Sequence, residues 1–546
     1  MDNPYTLQSL VALTRTTYSS IIEKIKGMKV LVLDSDTSGM ISLVHTHSYL
    51  LENEVLLTLK IDDGTVFNSG NLNSNLRHLK SLYILQPTME NVLKLSNELQ
   101  NPHFKEYYLF FTNEVNKEFL ELIAKGDSLE LVKGVYEYFV DFYVISDTLF
   151  TLNIKDSSGL YAKDVNFMLN PTVSRIVKSI YSLSCLVNQI PTVVCKKGNM
   201  LLQTISSRIQ AEYNNNTLNL QAILQSYGVY NRECAPATSG CVLLIMDRRE
   251  DCVTPLLNQW TYQAMIHELI GMNGMNRVSI GGSDYILNDD FYGKHVYTEF
   301  ADVESALDVL IKESKSGTTD VFRMVENLPT QSKMVNETSR HVTILHELAR
   351  IIQEKGLLKS GLLEQDLVSK RANFQEVVDL IGGKVDVKEK IRVALLTALR
   401  NQDKIGKVKD YLRMNGLEGE MSIVDKVVNM STEVAKQAPE FGISLFGRKD
   451  SESPYLQHKS QLYTTLHKII KGKLEPEAYT IVPSAYDLGY TLKSKPASIM
   501  VFIIGGATFA ESRDCSIVTR ETGIPVVLGG TFIHNSETFL ETLPSI

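Results

Sequence analysis

Two stretches near the C-terminus, "ASIMVFIIGGATFA" (497–510) and "IPVVLGGTFIHN" (524–535), decide how this chain is put together. Each is a short apolar run ending on a Gly-Gly pair, which reads as a buried strand followed by a tight turn. Two strands alone are marginal in water, so they must complete a sheet begun elsewhere. The nearest earlier strand signals are "YFVDFYVIS" (138–146) and "CVLLIMD" (241–247), separated by the helical patterns "PTVSRIVKSIYSLSCLVNQ" and "GNMLLQTISSRIQAEYNN". From about 258 to 480 the spacing turns mostly helical, as in "KIRVALLTALRNQ" and "QLYTTLHKIIKG". The helical region therefore reads as an insertion into a second α/β domain. Ahead of it, "KVLVLDSD" (29–36), "EVLLTLKIDDG" (54–64), "HLKSLYILQPT" (78–88) and "EYYLFFTN" (106–113) alternate with helical segments, the pattern of a parallel sheet covered on both faces. The expected organisation is α/β plus α: domain 1 over 1–137, domain 2 over 138–247 and 481–546, and a mostly helical domain 3 over 248–480.

A length of 546 residues suits roughly three or four domains, and 44% hydrophobic with 22% charged residues is ordinary globular composition. A net charge of -8 argues against a duplex nucleic acid partner. The N-terminus lacks the pattern of a signal peptide, and no apolar run reaches the roughly 18 to 20 residues that a membrane span needs. Six cysteines with no CxxC pair fit free, buried thiols in a reducing compartment. These features predict a soluble intracellular protein.

Motifs that would carry chemistry fail one after another. Asp34 ends the first strand, where doubly wound folds bind ligands, but Gln86 stands where a receiver-type site would place another acid. The Gly-Gly pairs at 281, 505 and 529 lack any phosphate-loop context, and Lys384 after Gly383 is followed by valine. Both "HELIG" (267–271) and "HELAR" (346–350) lack the second histidine of a zinc helix. His45 and His47 have no ligand cluster nearby in sequence, and no nucleophile elbow occurs. No cofactor and no metal are expected.

Two segments call for a binding or structural role instead. In "DRREDCVTPLLNQWTYQAM" (247–265) opposite charges are nearly equal in number, which favours mutual ion pairing over an activated carboxylate. Pro255 suits a turn, and Tyr262, Ile266, Leu269 and Ile270 share a helical face ending at Gly271. The segment reads as a charge-latched turn and helix that tie two domains together. In "VFRMVENLPTQSKMVNETSRHVTILHELARIIQEKG" (321–356), Val342, Leu345, Ala349 and Ile352, flanked by Ile344, Leu348 and Ile351, form a wide apolar stripe. Pro329 interrupts the pattern at a cost of about 3 kcal/mol to a helix. The hairpin about 300–360 is therefore either bent at Pro329 and straightened by a partner, or turned permanently there.

The segments "LLIMDRREDCVTPLLNQWTYQAMIHELIGM", "VENLPTQSKMVNETSRHVT" and "IMVFIIGGATFAESRD" with "VVLGGTFIHNSETFLE" resemble the Sec/Munc (SM) family of syntaxin-binding, SNARE-regulating proteins, over nearly the whole chain. Among its branches the likeness is to the vacuolar-protein-sorting "forty-five" subfamily of the trans-Golgi network and endosomes. The resemblance implies an arch of three domains, no enzymatic activity, and a monomer recruited to Golgi and endosomal membranes through its partner. That partner is a syntaxin-sixteen-like Qa-SNARE and its SNARE complex, vesicle SNARE included. It also implies a syntaxin N-peptide pocket at Val115, Phe119, Leu120, Val132 and Val135, a hairpin hinge at Pro329, and a vesicle-SNARE contact at Val342. Asp247, Arg248, Asp251, Thr254, Pro255, Trp260 and Tyr262 belong to its structural signature. Exocytic relatives grip closed syntaxin with an arginine just after the first strand, where this chain has Gly39. The alternatives are a passive syntaxin chaperone, a member of another trafficking branch, and an α/β enzyme using Asp34 or the 247–251 cluster.

Overall fold

The computed structural model describes residues 9–63, 76–161, 166–226, 240–273, 276–315, 321–435, 453–482 and 491–542. The first sheet consists of five parallel strands, β1 (Lys29–Leu33), β2 (Val55–Lys60), β3 (Lys80–Leu85), β4 (Glu106–Phe111) and β5 (Val132–Glu137), in the order β2-β1-β3-β4-β5. β1 is buried along its whole length, as a central parallel strand must be, whereas edge strand β2 mixes buried and exposed positions. Helices Met89–Gln100 and Lys117–Gly126 cover one face, packing Val92, Leu95, Leu99 and Ile123 on Tyr83, Tyr107, Leu109 and Phe111. The other face meets Tyr18, Ile21 and Ile22 of helix Leu10–Lys24 and Met40, Ile41 and Val44 of helix Ser35–Val44.

The remaining strands are β6 (Tyr143–Ser146), β7 (Leu149–Thr151), β8 (Thr192–Lys196), β9 (Cys241–Asp247), β10 (Arg277–Ile280), β11 (Ser283–Ile286), β12 (Tyr479–Ile481), β13 (Ser498–Ile504) and β14 (Val526–Gly530). All but β10 and β11 form one seven-stranded sheet, ordered β12-β8-β9-β13-β14-β7-β6. β13 runs parallel to β9 from Ser498↔Cys241 to Ile504↔Asp247, and parallel to β14 on its other side. The late strands thus occupy the middle of a sheet begun far earlier, at Tyr143 in "YFVDFYVIS", and the intervening chain is mostly helices that build their own cores.

Three details differ from the sequence reading. Helix Leu10–Lys24 is shared between the sheets: Leu10 lies in the core of the second, with its amide donating to the Asp147 carbonyl (3.1 Å), while Tyr18 and Ile21 pack against the first. β12 begins at Tyr479 and pairs antiparallel with β8, so the second sheet takes residues that the reading assigned to the helical region. β10 and β11 form a hairpin inside that helical region. Its turn is Gly281–Gly282, both at positive φ (58° and 81°), the backbone that a two-residue hairpin turn demands and glycine supplies without strain.

Candidate partner-binding surfaces

The five residues expected to line a peptide pocket lie on β5, helix Lys117–Gly126 and the turn before it, at the open edge of the first sheet. Helix Lys117–Gly126 starts on an Asn116 cap, whose side-chain oxygen accepts from the Phe119 amide (2.8 Å), and it lies close on helix Met89–Gln100 because Gly126 has no side chain to strike Ser96. Asp127 then ties the helix end to β5, its carboxylate accepting from the Leu131 (2.8 Å) and Val132 (3.0 Å) amides. Val132 and Val135 are three apart, so a regular strand would send them to opposite faces. A register shift prevents that: Val132 pairs with Tyr107 and Val135 with Leu109, both on the helix side of β4. Gly134 and Tyr136 fall on the other face, where the Tyr136 ring stacks on Phe110 at 4.7 Å. The bulge therefore puts both valines beside helix Lys117–Gly126.

The five differ in accessibility. Val115 is core, its amide donating to Glu137 (2.8 Å), and Phe119 and Val132 are half-buried against the same core. Leu120 and Val135 are open to solvent at 42% and 38% exposure. Leu129, at 61%, is an exposed apolar neighbour of β5 that the sequence reading missed; its isolation between Ser128 and Glu130 gave no periodic signal. β5 has no strand on its outer side among the described residues, which leaves apolar side chains and unpaired backbone groups at one edge.

Gly39 is not a vacant place on a surface. It is buried on helix Ser35–Val44, and a Cβ there would lie 2.7 Å from the ring of Tyr143, whose hydroxyl donates to Asp36 (2.6 Å). An arginine has no room here, because Tyr143 on the second sheet's first strand fills the space. Nearby Asp34 caps the same helix, its carboxylate accepting from Thr37, Gln86 (2.7 Å) and Asn91 (2.8 Å). Burial raises its pKa while these donors hold it down, and all of them serve local structure.

Val321–Lys355 is one continuous helix that passes through Pro329, so of the two readings of this hairpin the one with its turn at the proline is contradicted. The side chains of 321–334, Pro329 included, lie outside the described residues. The apolar stripe is closed: Ile344, Leu345, Leu348, Ile351 and Ile352 are buried. Ile344, Leu345, Leu348 and Ile352 pack with Val303 and Leu307 of the preceding helix Phe300–Lys315 and with Trp260, Tyr262 and Met265. Val342 is half-buried against that core, and Ala349, one turn after Leu345 at the edge of the stripe, is exposed. Their anchor was also missed: His341, fully buried, lies 2.8 Å from the Tyr262 hydroxyl and 2.9 Å from Asp289, which pairs with Arg340 at 3.1 Å.

The charged stretch after β9 is a set of internal ties. Asp247 takes Arg249 (2.6 Å) and Asn199 (2.8 Å). Arg248, 2% exposed, pairs with Glu511 at 2.8 Å and donates to the Asp251 carbonyl at 2.6 Å. Asp251 accepts from the amides of Val253, Thr254 and Gln461 and from the Thr254 hydroxyl. Gly505 and Gly506, both at positive φ, let the strand end pass against Arg248, Tyr161 and His534, where any Cβ would collide. Pro255 lies buried in a short 3-10 turn, and Trp260 rests on Tyr455 with ring centroids 4.5 Å apart. Burial pushes the Glu250 carboxyl up to about 7 despite Lys196 at 3.6 Å. The stretch joins the second sheet to the helical region.

The structure thus combines a sheet edge with exposed apolar residues, an inserted helical region and a buried charged joint. A profile of the Sec1 family matches residues 29–542, and the chain belongs to that family, the Sec/Munc group of the sequence reading. Its full-length likeness is to the Vps45 branch: vacuolar protein sorting-associated protein 45 of Rattus norvegicus is 32% identical over 94% of this chain and 92% of its own. A solved SM protein Vps45 in complex with the Qa SNARE Tlg2 (1-310) matches with a TM-score of 0.84 at 29% identity, covering 98% of each chain. The Unc18–syntaxin 1 complex from Monosiga brevicollis shares the fold, with a TM-score of 0.79 at 19% identity. Among the described residues no helix is long and apolar enough to cross a membrane.

Proposed function

We propose that this chain is a non-covalent regulator of membrane fusion, which binds a Qa-SNARE and promotes its assembly into SNARE complexes in trans-Golgi, endosomal or vacuolar traffic. The observation that carries the reading is the match along 98% of both chains to a Vps45 solved with a Qa SNARE. The open edge at β5 supports it locally. Val115, Phe119 and Val132 form the floor and Leu120 and Val135 the rim of a pocket for an apolar anchor of the syntaxin N-terminus, with affinity set by a few buried contacts. The chain works as a monomer recruited to the membrane by that partner. Its functional units are the segments 1–137, 138–247 with 481–546, and 248–480.

Templating of the vesicle SNARE falls to the long helix around Val342, with Pro329 as hinge. The closed stripe there favours a second reading, in which the protein holds and protects its syntaxin without speeding pairing. Calorimetric titration with the N-terminal peptide of an endosomal Qa-SNARE tests the shared part of both. Wild-type protein is expected to bind with micromolar or tighter affinity, and a folded Val132→Arg variant to lose it. Equal binding by the two proteins would remove the pocket from the proposal. The rate of SNARE assembly on liposomes then separates promoter from holder.

A further inference from the structure

Arg392 is the second arginine sealed inside this chain, at 1% exposure, and it is outnumbered. It lies on helix Val387–Arg400, with Nε donating to the Leu256 carbonyl (2.9 Å) and Nη1 to the Asn258 side chain (2.8 Å). Three carboxylates surround it: Glu389 at 3.1 Å, Glu364 at 3.3 Å and Glu268 at 3.5 Å. Glu364 comes from helix Leu357–Val368, and Glu268 from the helical turn Ile266–Ile270. Asn258 Nδ2 donates to Glu364 Oε1 and to Glu389 Oε2, both at 3.0 Å, so two carboxylates converge on one amide. Glu268 in turn accepts from the amide (2.9 Å) and hydroxyl of Ser536, which opens the C-terminal helix Ser536–Thr542. At the rim, exposed Lys388 pairs with Glu537 of that helix at 2.9 Å.

Fully ionised, the cluster would set three negative charges, those of Glu364 and Glu389 sealed from water, against one positive. Water cannot reach Glu364 or Glu389 to offset the excess, and a buried carboxylate in that position takes up a proton instead. We infer that Glu364 holds a proton at neutral pH, and that its release loosens the joint between the helical region and the C-terminal helix. The charged groups facing Glu364 are Arg392, Glu389 and Glu268. Burial raises its pKa, Arg392 lowers it, and the two glutamates raise it again, for a net upward shift. The cluster then acts as a proton-operated latch between elements that are far apart in sequence.

The linkage has a definite sign. The unfolded glutamate releases its proton near about pH 4.3, while the folded one keeps it to higher pH. Between those values the folded state binds more protons, so this group's stabilisation is present at low pH and falls as pH rises. Urea unfolding of the full chain from pH 5 upward is expected to show this in wild type and not in Glu364→Gln. Across the window, the ratio of the two folding equilibria should change by about tenfold per pH unit for one proton. Amide exchange in 536–542, corrected for the intrinsic pH effect, should speed up with pH in wild type alone. If that variant fails to fold, an infrared difference spectrum of wild type against Glu364→Asp, which keeps a carboxyl at the site and moves its band, separates Glu364 from the raised Glu250. A protonated-carboxyl band at neutral pH that fades as pH rises and is displaced in Glu364→Asp supports the latch; absence of such a band, or parallel pH profiles for wild type and Glu364→Gln, overturns it.

Discussion

The edge of the first sheet and the long helix carry the same kind of residue in opposite states. At β5, apolar side chains stand half-open on a frame held by the Asn116 cap and Asp127, so the surface exists before any partner arrives. On Val321–Lys355, the apolar stripe from Ile344 to Ile352 already has partners in Trp260, Tyr262 and Val303. An apolar residue offers binding energy only if the free protein leaves it wet. The proposed pocket can act by simple docking, whereas the helix could offer its stripe only by giving up its own core.

That contrast breaks first at Leu348. Truncation by Leu348→Ala should destabilise the helical region by about 2–5 kcal/mol, as for other large-to-small changes in a closed core. Denaturant unfolding checks it, and a loss below about 0.5 kcal/mol would mean that the stripe is not closed in solution. Gly39→Arg comes next. Forcing a side chain against Tyr143 should cost about 1–3 kcal/mol, and a variant as stable as wild type would reopen this position as a contact for syntaxin. The smallest effect on stability is expected from Leu120→Asp, within about 0.5 kcal/mol, together with weakened binding of the Qa-SNARE N-terminal peptide. Unchanged peptide affinity would shift the pocket away from the helix Lys117–Gly126 rim.

The parts of this molecule that were legible in sequence are those governed by local pattern. Continuous apolar runs such as "KVLVL" announced buried parallel strands, and the isolation of the last two strands announced that the second sheet is split. The balanced charges of 247–251 correctly suggested ties, although their main partner, Glu511, is 263 positions from Arg248 and cannot be read locally. The bulge that aligns Val132 with Val135 leaves no mark in the composition of β5. For the long helix, periodicity identified the apolar face and could not say whether that face is covered, because its cover comes from Trp260 and Tyr262 in a separate segment.

The interleaving of β13 between β9 and β14 also constrains how the chain comes off the ribosome. All five strands of the first sheet lie within 29–137, so that sheet can pair while the rest is still being made. The second cannot close until the strand ending at Gly530 has emerged, which leaves β9 without its neighbour β13 for the whole of the synthesis from Asp247 to Ser498. Long-range pairing of this kind is slow and leaves sticky strand edges waiting. Nascent chains stopped before Ser498 should therefore be the species that chaperones hold longest.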